Sequence, residues 1–374
     1  MDTKLKEINL HITDVCGSRC PMCYEHQEGI VKSHGNFDTL KHIVKNAIKN
    51  GHVESFVMVG GDPCTHPNLV ELLRYVKEQG KEYGVNTRTT VLSNTHDYKE
   101  NGNLVDIEYA SQWIDEIDVT VHGATSNEHD KFNCVPGSYE HVMANINRFG
   151  KYKNENQDIC AVINIMPYTV QHIKEIMQGT KQKLDNKLNR FMIQRIAPAG
   201  RAANTEKYFI EKQDINPLMQ IFDTMIKNGN EIVFCDVFPW CSVKQEYRYM
   251  LPKGGCCWGY DTCAVFMDGS VKRCAMGSNV LSKKITDLNT PEAFMDWWLN
   301  DPELVKFRAK SHLDKVCKSC DLLQQCGGAC ALGRPGGDPY SKVPFIFNTP
   351  NDLKHSKIIN PVLGHDYLAT ERNR

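Results

Sequence analysis

Six times in the first 200 residues a short apolar, partly β-branched run gives way to a stretch with helical spacing, and this alternation restricts the possible folds more than any other feature of the chain. The strand candidates are Ile8–Ile12, Ser55–Val59, Thr89–Ser93, Ile117–Val121, Cys160–Ile165 and Phe191–Gln194. Between them Leu40/Ile43/Val44/Ala47/Ile48, Leu69/Leu72/Leu73/Val76, Val142/Ile146 and Ile173/Ile176/Met177 recur on one helical face. Repeated strand-helix units predict an α/β fold in which helices cover a parallel sheet. Past about residue 200 the alternation is expected to stop, with one helix around Leu218/Ile221/Phe222/Met225 before a cysteine-rich tail. At 374 residues the chain can form one large domain and a smaller one, here drawn as 1–200, a bridging region 201–256, and 257–374.

Lys and Arg number 44 against 45 Asp and Glu, so no overall field draws the chain to nucleic acid or to an anionic membrane. No apolar stretch approaches the roughly 20 residues of a membrane helix, and the N-terminus reads as a strand. The expectation is a cytoplasmic protein with neither a nucleic-acid nor a membrane partner. In that compartment sixteen cysteines point to metal ligation or thiol chemistry, because thiols there stay reduced.

Directly after the first strand, Cys16, Cys20 and Cys23 place three thiols within eight residues, followed by Tyr24. One loop can wrap them around one metal centre. A closed zinc site takes four ligands and no fourth stands nearby, whereas a cubane cluster held by three thiolates keeps one iron open. This C-x3-C-x2-C loop resembles that of radical S-adenosylmethionine (SAM) enzymes. The resemblance implies a partial (β/α)6 barrel, a catalytic [4Fe-4S] cluster, SAM chelated at the open iron, and a 5'-deoxyadenosyl radical formed by reductive cleavage. Zinc held by the same thiols is the bland alternative.

Other strand ends fit the same family. Gly60-Gly61-Asp62-Pro63 resembles its GGEP-type turn, with Asp62 where Glu is usual, and implies a carboxylate facing the SAM ammonium. Ser93-Asn94 is similar to the polar pair placed against the ribose, and Thr120-Val121-His122-Gly123 to an element whose hydroxyl contacts SAM; His122 itself reads as structural. The stretch His129 to Ser138 departs from the family in carrying Asn133-Cys134 where Arg-Gly is expected. Arg195, with Pro198-Ala199-Gly200-Arg201, matches a frequent ending and is a candidate carboxylate contact or an ordinary surface arginine.

In the tail, Cys257, Cys263 and Cys274, with Gly269 five residues before the last, precede Cys317-x2-Cys320-x5-Cys326-x3-Cys330. This resembles the SPASM extension of radical SAM enzymes that modify peptides and proteins. By that resemblance Cys257, Cys263, Cys274 and Cys330 hold one auxiliary [4Fe-4S] cluster, and Cys317, Cys320 and Cys326 most of a second. No cysteine follows Cys330, which leaves an oxygen or nitrogen ligand such as Asp338, Asp352 or His355, an open iron, or no second cluster. Either Cys256 or Cys257 can reach the first cluster; spacing favours Cys257. Paired C-x2-C sites in a tail of this kind also suit zinc.

Cys64, Cys134, Cys160, Cys235 and Cys241 are left over and read first as core packing. Cys64 and Cys134 flank loops expected to face the radical, where a thiol can donate a hydrogen atom, and are the candidate catalytic residues. The function implied is a maturase of a ribosomally made peptide or protein, acting by cross-linking, epimerisation or oxidation. Its partners are an external electron donor such as flavodoxin or ferredoxin and, since the first strand starts so early, a separate leader-binding protein. Cys274-Ala275, lacking the Asp that sulfatase-type maturases carry after this cysteine, argues against formylglycine formation. Alternatives are a radical enzyme acting on a small molecule such as a tetrapyrrole, and a non-enzymatic zinc or cluster-bearing module.

Overall fold

The computed structural model of the chain describes residues 3–25, 32–95, 107–184, 187–196, 199–204, 207–235, 238–313 and 315–331. Pro198, Asp338, Asp352 and His355 lie outside the described residues. All six expected strands are present as β1 (Glu7–Thr13), β2 (Ser55–Gly60), β3 (Arg88–Ser93), β4 (Glu116–Thr120), β5 (Asp158–Ile165) and β6 (Arg190–Arg195). The alternation runs one unit further than the sequence suggests, through β7 (Ile232–Phe234), and the cysteine-rich tail adds β8 (Thr262–Val265) and β9 (Val271–Lys272). Short strands of three or four residues carry too little periodicity to stand out from loops.

The strand order is β7-β6-β5-β4-β3-β2-β1-β8-β9. Every pairing is parallel except the last. The sheet is a partial barrel, with β7 and β9 as its ends. Around it run α1 (Phe37–Gly51), α2 (Leu69–Tyr83), α3 (Ile107–Ser111), α4 (Ser126–Asn133), α5 (Ser138–Tyr152), α6 (Pro167–Gln171), α7 (Ile173–Lys183) and α8 (Lys212–Lys227); α9 (Pro291–Asn300) and α10 (Pro302–Arg308) follow the cysteine-bearing hairpin.

Each strand divides its residues by parity. Ile8, Leu10 and Ile12 of β1, Ile117 and Val119 of β4, and Ile159, Ala161 and Ile163 of β5 join one core with Leu40, Val44, Leu72, Val142 and Ile176 of the helices. The opposite face is mixed: Asn9 and His11, Glu116 and Asp118, and a small patch of Cys160, Val162 and Met192. Strands of a fully apolar parallel sheet read as continuous hydrophobic runs. Polar residues on the inner face mark a barrel whose lumen receives something other than side chains.

Helix ends are specified locally. Asn36 caps α1 by accepting from Thr39 N at 3.1 Å, and Thr125 and Glu128 form a reciprocal capping box on α4. From the buried face of α1, Asn46 donates to the carbonyls of Ile285 and Thr286 at 3.2 and 3.3 Å, and Asn50 to that of Leu288 at 2.8 Å. These bonds, with the parallel pairing of β1 to β8, attach the C-terminal segment directly to the barrel.

The amino ends of β3 to β6 are bound by charge. Glu116, whose side chain is 0 % exposed, lies between Arg88, at 2.9 Å, and Arg190; both arginines also reach Asp158, at 3.0 and 3.1 Å. Burial works against the Arg190 charge, yet Glu116 beside it, with Cys160 and Asp158, holds the guanidinium above its usual value.

Candidate functional site

The expected site residues converge at the carboxyl ends of the strands, where barrels of this kind place their chemistry. The loop carrying Cys16, Cys20 and Cys23 leaves β1, and the turn after β2 is tied to its start: Gly61 N donates to Thr13 O and Asp62 N to Val15 O, both at 2.7 Å. Gly60 has φ +137°, and a Cβ on Gly61 would stand 2.3 Å from Val15 O, so only glycine permits this approach.

Asp62 is 1 % exposed. Its carboxylate accepts from Cys64 N at 2.9 Å, Ser93 Oγ at 2.7 Å and Asn94 N at 3.1 Å. It thereby joins the ends of β2 and β3. Asn94 in turn places its amide 3.7 Å from Cys16 Sγ and 3.1 Å from Ser18 Oγ. Thus Gly60, Gly61, Asp62, Ser93 and Asn94 form one hydrogen-bonded unit around Cys16, with Pro63 opening the next turn. Thr120 sits half-buried at the end of β4.

Two further contacts hold the loop. Asn133, at the end of α4, accepts from Arg19 N through its carbonyl at 2.9 Å and sets its side-chain oxygen 3.5 Å from Cys20 Sγ. Its amide nitrogen lies 2.7 Å from His129 Nε2 and 2.9 Å from Ser138 Oγ. From beyond β6, Arg201 donates its backbone N–H to Cys23 O at 2.9 Å and a guanidinium N–H to Cys20 O at 3.0 Å. Asn133 stood out in the sequence only as a departure from pattern, and Arg201 only as part of an ending; neither showed that it grips the cysteine loop.

Burial dominates the electrostatics of two of the loop thiols. Burial, then the Asp62 charge, raises Cys16 well above the usual thiol range, and burial with Cys23 beside it pushes Cys20 up to about 12. Burial of this kind disfavours the free thiolate, the form in which cysteine ligates a metal.

The two candidate catalytic thiols separate. Cys64 is 1 % exposed and belongs to the main core, against which Cys20 also packs. Cys134 is exposed, sits in the left-handed cap of α4 at φ 54°, and is near enough to Cys20 to raise that thiol's pKa. Arg195 is no surface arginine: it is 4 % exposed, with its guanidinium over the Phe238 ring at 4.5 Å. His122 is buried and neutral, its pKa lowered to about 3 by burial and by His129, in line with a structural histidine.

The inner face of β1 adds a residue that the sequence reading passed over. His11, 4 % exposed, lies 2.9 Å from Glu25 Oε1 and stacks on Phe266 at 4.5 Å between ring centroids. Its parity with Glu7 and Asn9 was the available signal. Burial, then Glu25, Cys23 and Cys274 nearby, raises the Tyr24 hydroxyl well above its usual value.

In the C-terminal cysteine array Cys256, Cys257 and Cys274 are buried in one small cluster; Cys326 packs against both this cluster and the main core, and Cys317 against the main core. Cys330 is 0 % exposed, and Cys317, Cys320 and Cys326 are half-buried. Cys263 is not brought to this cluster but lies in the main core. Among the described residues one group of three potential ligands lies within 4.8 Å, Glu116, Asp118 and Cys160. Two arginines already neutralise Glu116, and the group is part of the ionic floor of the barrel.

Residues 10–178 match the family described as the Radical SAM superfamily. An AdoMet-dependent heme synthase of Methanosarcina barkeri is 22 % identical over 328 residues, 84 % of this chain and 87 % of that protein. The crystal structure of Streptococcus suis SuiB bound to S-adenosylmethionine superposes with a TM-score of 0.67 at 16 % identity, over 88 % of this chain and 73 % of that one; SuiB is also known bound to its precursor peptide SuiA. Native anSMEcpe with bound AdoMet gives a TM-score of 0.65 at 15 % identity, over 95 % of both chains.

Proposed function

This chain carries a radical SAM domain over residues 10–178, and we propose that it is a maturase that uses SAM to modify a ribosomally made peptide or protein in the cytoplasm. The observation that carries the reading is the loop of Cys16, Cys20 and Cys23 at the strand ends, three thiols with polar neighbours and a second cysteine array across Tyr24. The donor set fits a cubane: three sulfurs from one short loop and an Asn94 amide directed at one of them.

Bound there, a [4Fe-4S] centre with an open iron supplies one-electron cleavage of the SAM sulfonium. The remaining work belongs to the protein. The Gly60-Gly61 backbone seats the start of the cysteine loop against the end of β2, and Thr120 and Arg195 are the side chains proposed for the polar groups of SAM. Asp62 fixes Ser93 and Asn94 beside it. Asp62→Ala is expected to free those two residues and weaken SAM binding by about tenfold, which is about 1.4 kcal/mol, with iron content unchanged; a titration of SAM into the reconstituted protein measures it.

The C-terminal cysteines would hold auxiliary clusters, whose chemistry would be to accept an electron from a substrate radical, with an external flavodoxin or ferredoxin as the electron donor. Structural likeness to proteins solved with peptides, SuiB with SuiA and anSMEcpe with the Cp18Cys peptide, supports a peptide substrate. A second reading, a tetrapyrrole-class small molecule, is favoured by the heme synthase of M. barkeri, which aligns over 84 % of the chain.

Anaerobic reconstitution with iron and sulfide, then reduction with SAM, is expected to release 5'-deoxyadenosine. A brown protein that releases none is a binding module and not an enzyme. With cleavage established, a mass change in a candidate precursor peptide against one in a tetrapyrrole, each followed by mass spectrometry, separates the two substrate classes.

A further inference from the structure

Strand β8 hands its residues alternately to two compartments. Cys263 and Val265 are 0 % exposed in the main core, beside their register partners Ile8 and Leu10 of β1. Ala264 between them faces the other way, into the smaller cluster of Cys256, Cys257, Trp258, Cys274, Phe307 and Ala329. Successive residues of a strand point to opposite faces, so Cys263 can reach that cluster only if β8 slips by one residue. The slip would turn Ala264 into the main core and break the pairing of four residues with β1.

Cys256 is already on the right side. It is 6 % exposed, adjacent to Cys257, and in the same cluster as Cys274. Its segment lies directly on the last cysteines: Gly254 N donates to Gln325 O at 2.8 Å, and a Cβ on Gly255 would stand 2.6 Å from Gly327 Cα. That close approach of two glycine backbones brings the Cys256–Cys257 pair against the Cys326–Cys330 turn.

Resting on the reading that the chain holds an auxiliary cluster, we propose that Cys256, and not Cys263, completes its thiolate set with Cys257, Cys274 and Cys330. Cys263 is a small hydrophobe of the barrel wall.

The test reads iron and acid-labile sulfide per chain, with the electron paramagnetic resonance spectrum of the reduced protein, after anaerobic reconstitution of the full-length enzyme. Cys263→Val is expected to match the parent in all three. Cys256→Ala is expected to lose one cubane's complement of iron and the corresponding signal, while 5'-deoxyadenosine is still released. A folded Cys263→Val protein, by circular dichroism, that loses that iron overturns the assignment, as does a Cys256→Ala protein that keeps it. Should Cys263→Val not fold, the iron content of Cys256→Ala decides alone. A parent that binds the iron of a single cubane removes the auxiliary centre and this ligand set together, and leaves SAM cleavage as the separate measure of the proposed function.

Discussion

Cys16→Ala, Cys20→Ala and Cys23→Ala are each expected to reduce 5'-deoxyadenosine release to the level of protein-free controls, with the iron of the C-terminal array retained. The three thiols come from a single eight-residue loop, and a cubane that loses one of three protein ligands has no thiol of that loop to replace it. The neighbours of the loop make the result specific. Cys64 is packed in the core and Cys134 lies outside the loop, so Cys64→Val and Cys134→Ala are expected to retain SAM cleavage. Should Cys134→Ala abolish cleavage and Cys20→Ala spare it, the ligand assignment in this loop is wrong. Cys134→Ala also separates a thiol that serves the substrate from one that serves the cluster: cleavage with altered product assigns it to the former.

Glu116→Gln is expected to be the most destabilising polar substitution in the barrel. The carboxylate is 0 % exposed and faces both Arg88 and Arg190, and its neutralisation leaves two guanidiniums to share Asp158. Breaking a buried pair by removing one partner costs about 3–5 kcal/mol, and the lower end applies because Arg88 is 30 % exposed. Urea denaturation under anaerobic conditions measures the shift. Lys227→Ala, which removes an exposed pair with Asp223 at 2.7 Å, provides the contrast, with a much smaller expected shift of the midpoint. Because Glu116 lies at the amino ends of the strands, away from the cysteine loop, the folded variant is expected to cleave SAM at the parent rate. An unchanged denaturation midpoint in Glu116→Gln would show that the arginines are solvated well enough to do without it.

The two predictions fall on opposite ends of the same sheet. At the amino ends charge holds four strands in register, and at the carboxyl ends the strands release loops that gather ligands. Between them, the polar parity of β1 and β4 keeps the lumen from closing into an apolar core. His11 joins the loop residue Glu25, at 2.9 Å, to Phe266 of the C-terminal hairpin, on which it stacks.

What the sequence alone determined is whatever depends on short spacing. Six strands and their helices follow from periodicities of two and 3.6, and three thiols in one loop meet wherever the chain goes next. The Gly60-Gly61-Asp62-Pro63 turn was legible for the same reason. Tertiary structure decided what depends on register and on contacts between residues far apart in the chain. Asn133 and Arg201 reach the cysteine loop from 113 and 181 positions away. Cys64, one residue beyond the turn, falls into the core. Cys263, which the resemblance made a ligand, faces the main core, because a strand shows alternate residues to opposite sides and only its pairing with β1 fixes which side is which.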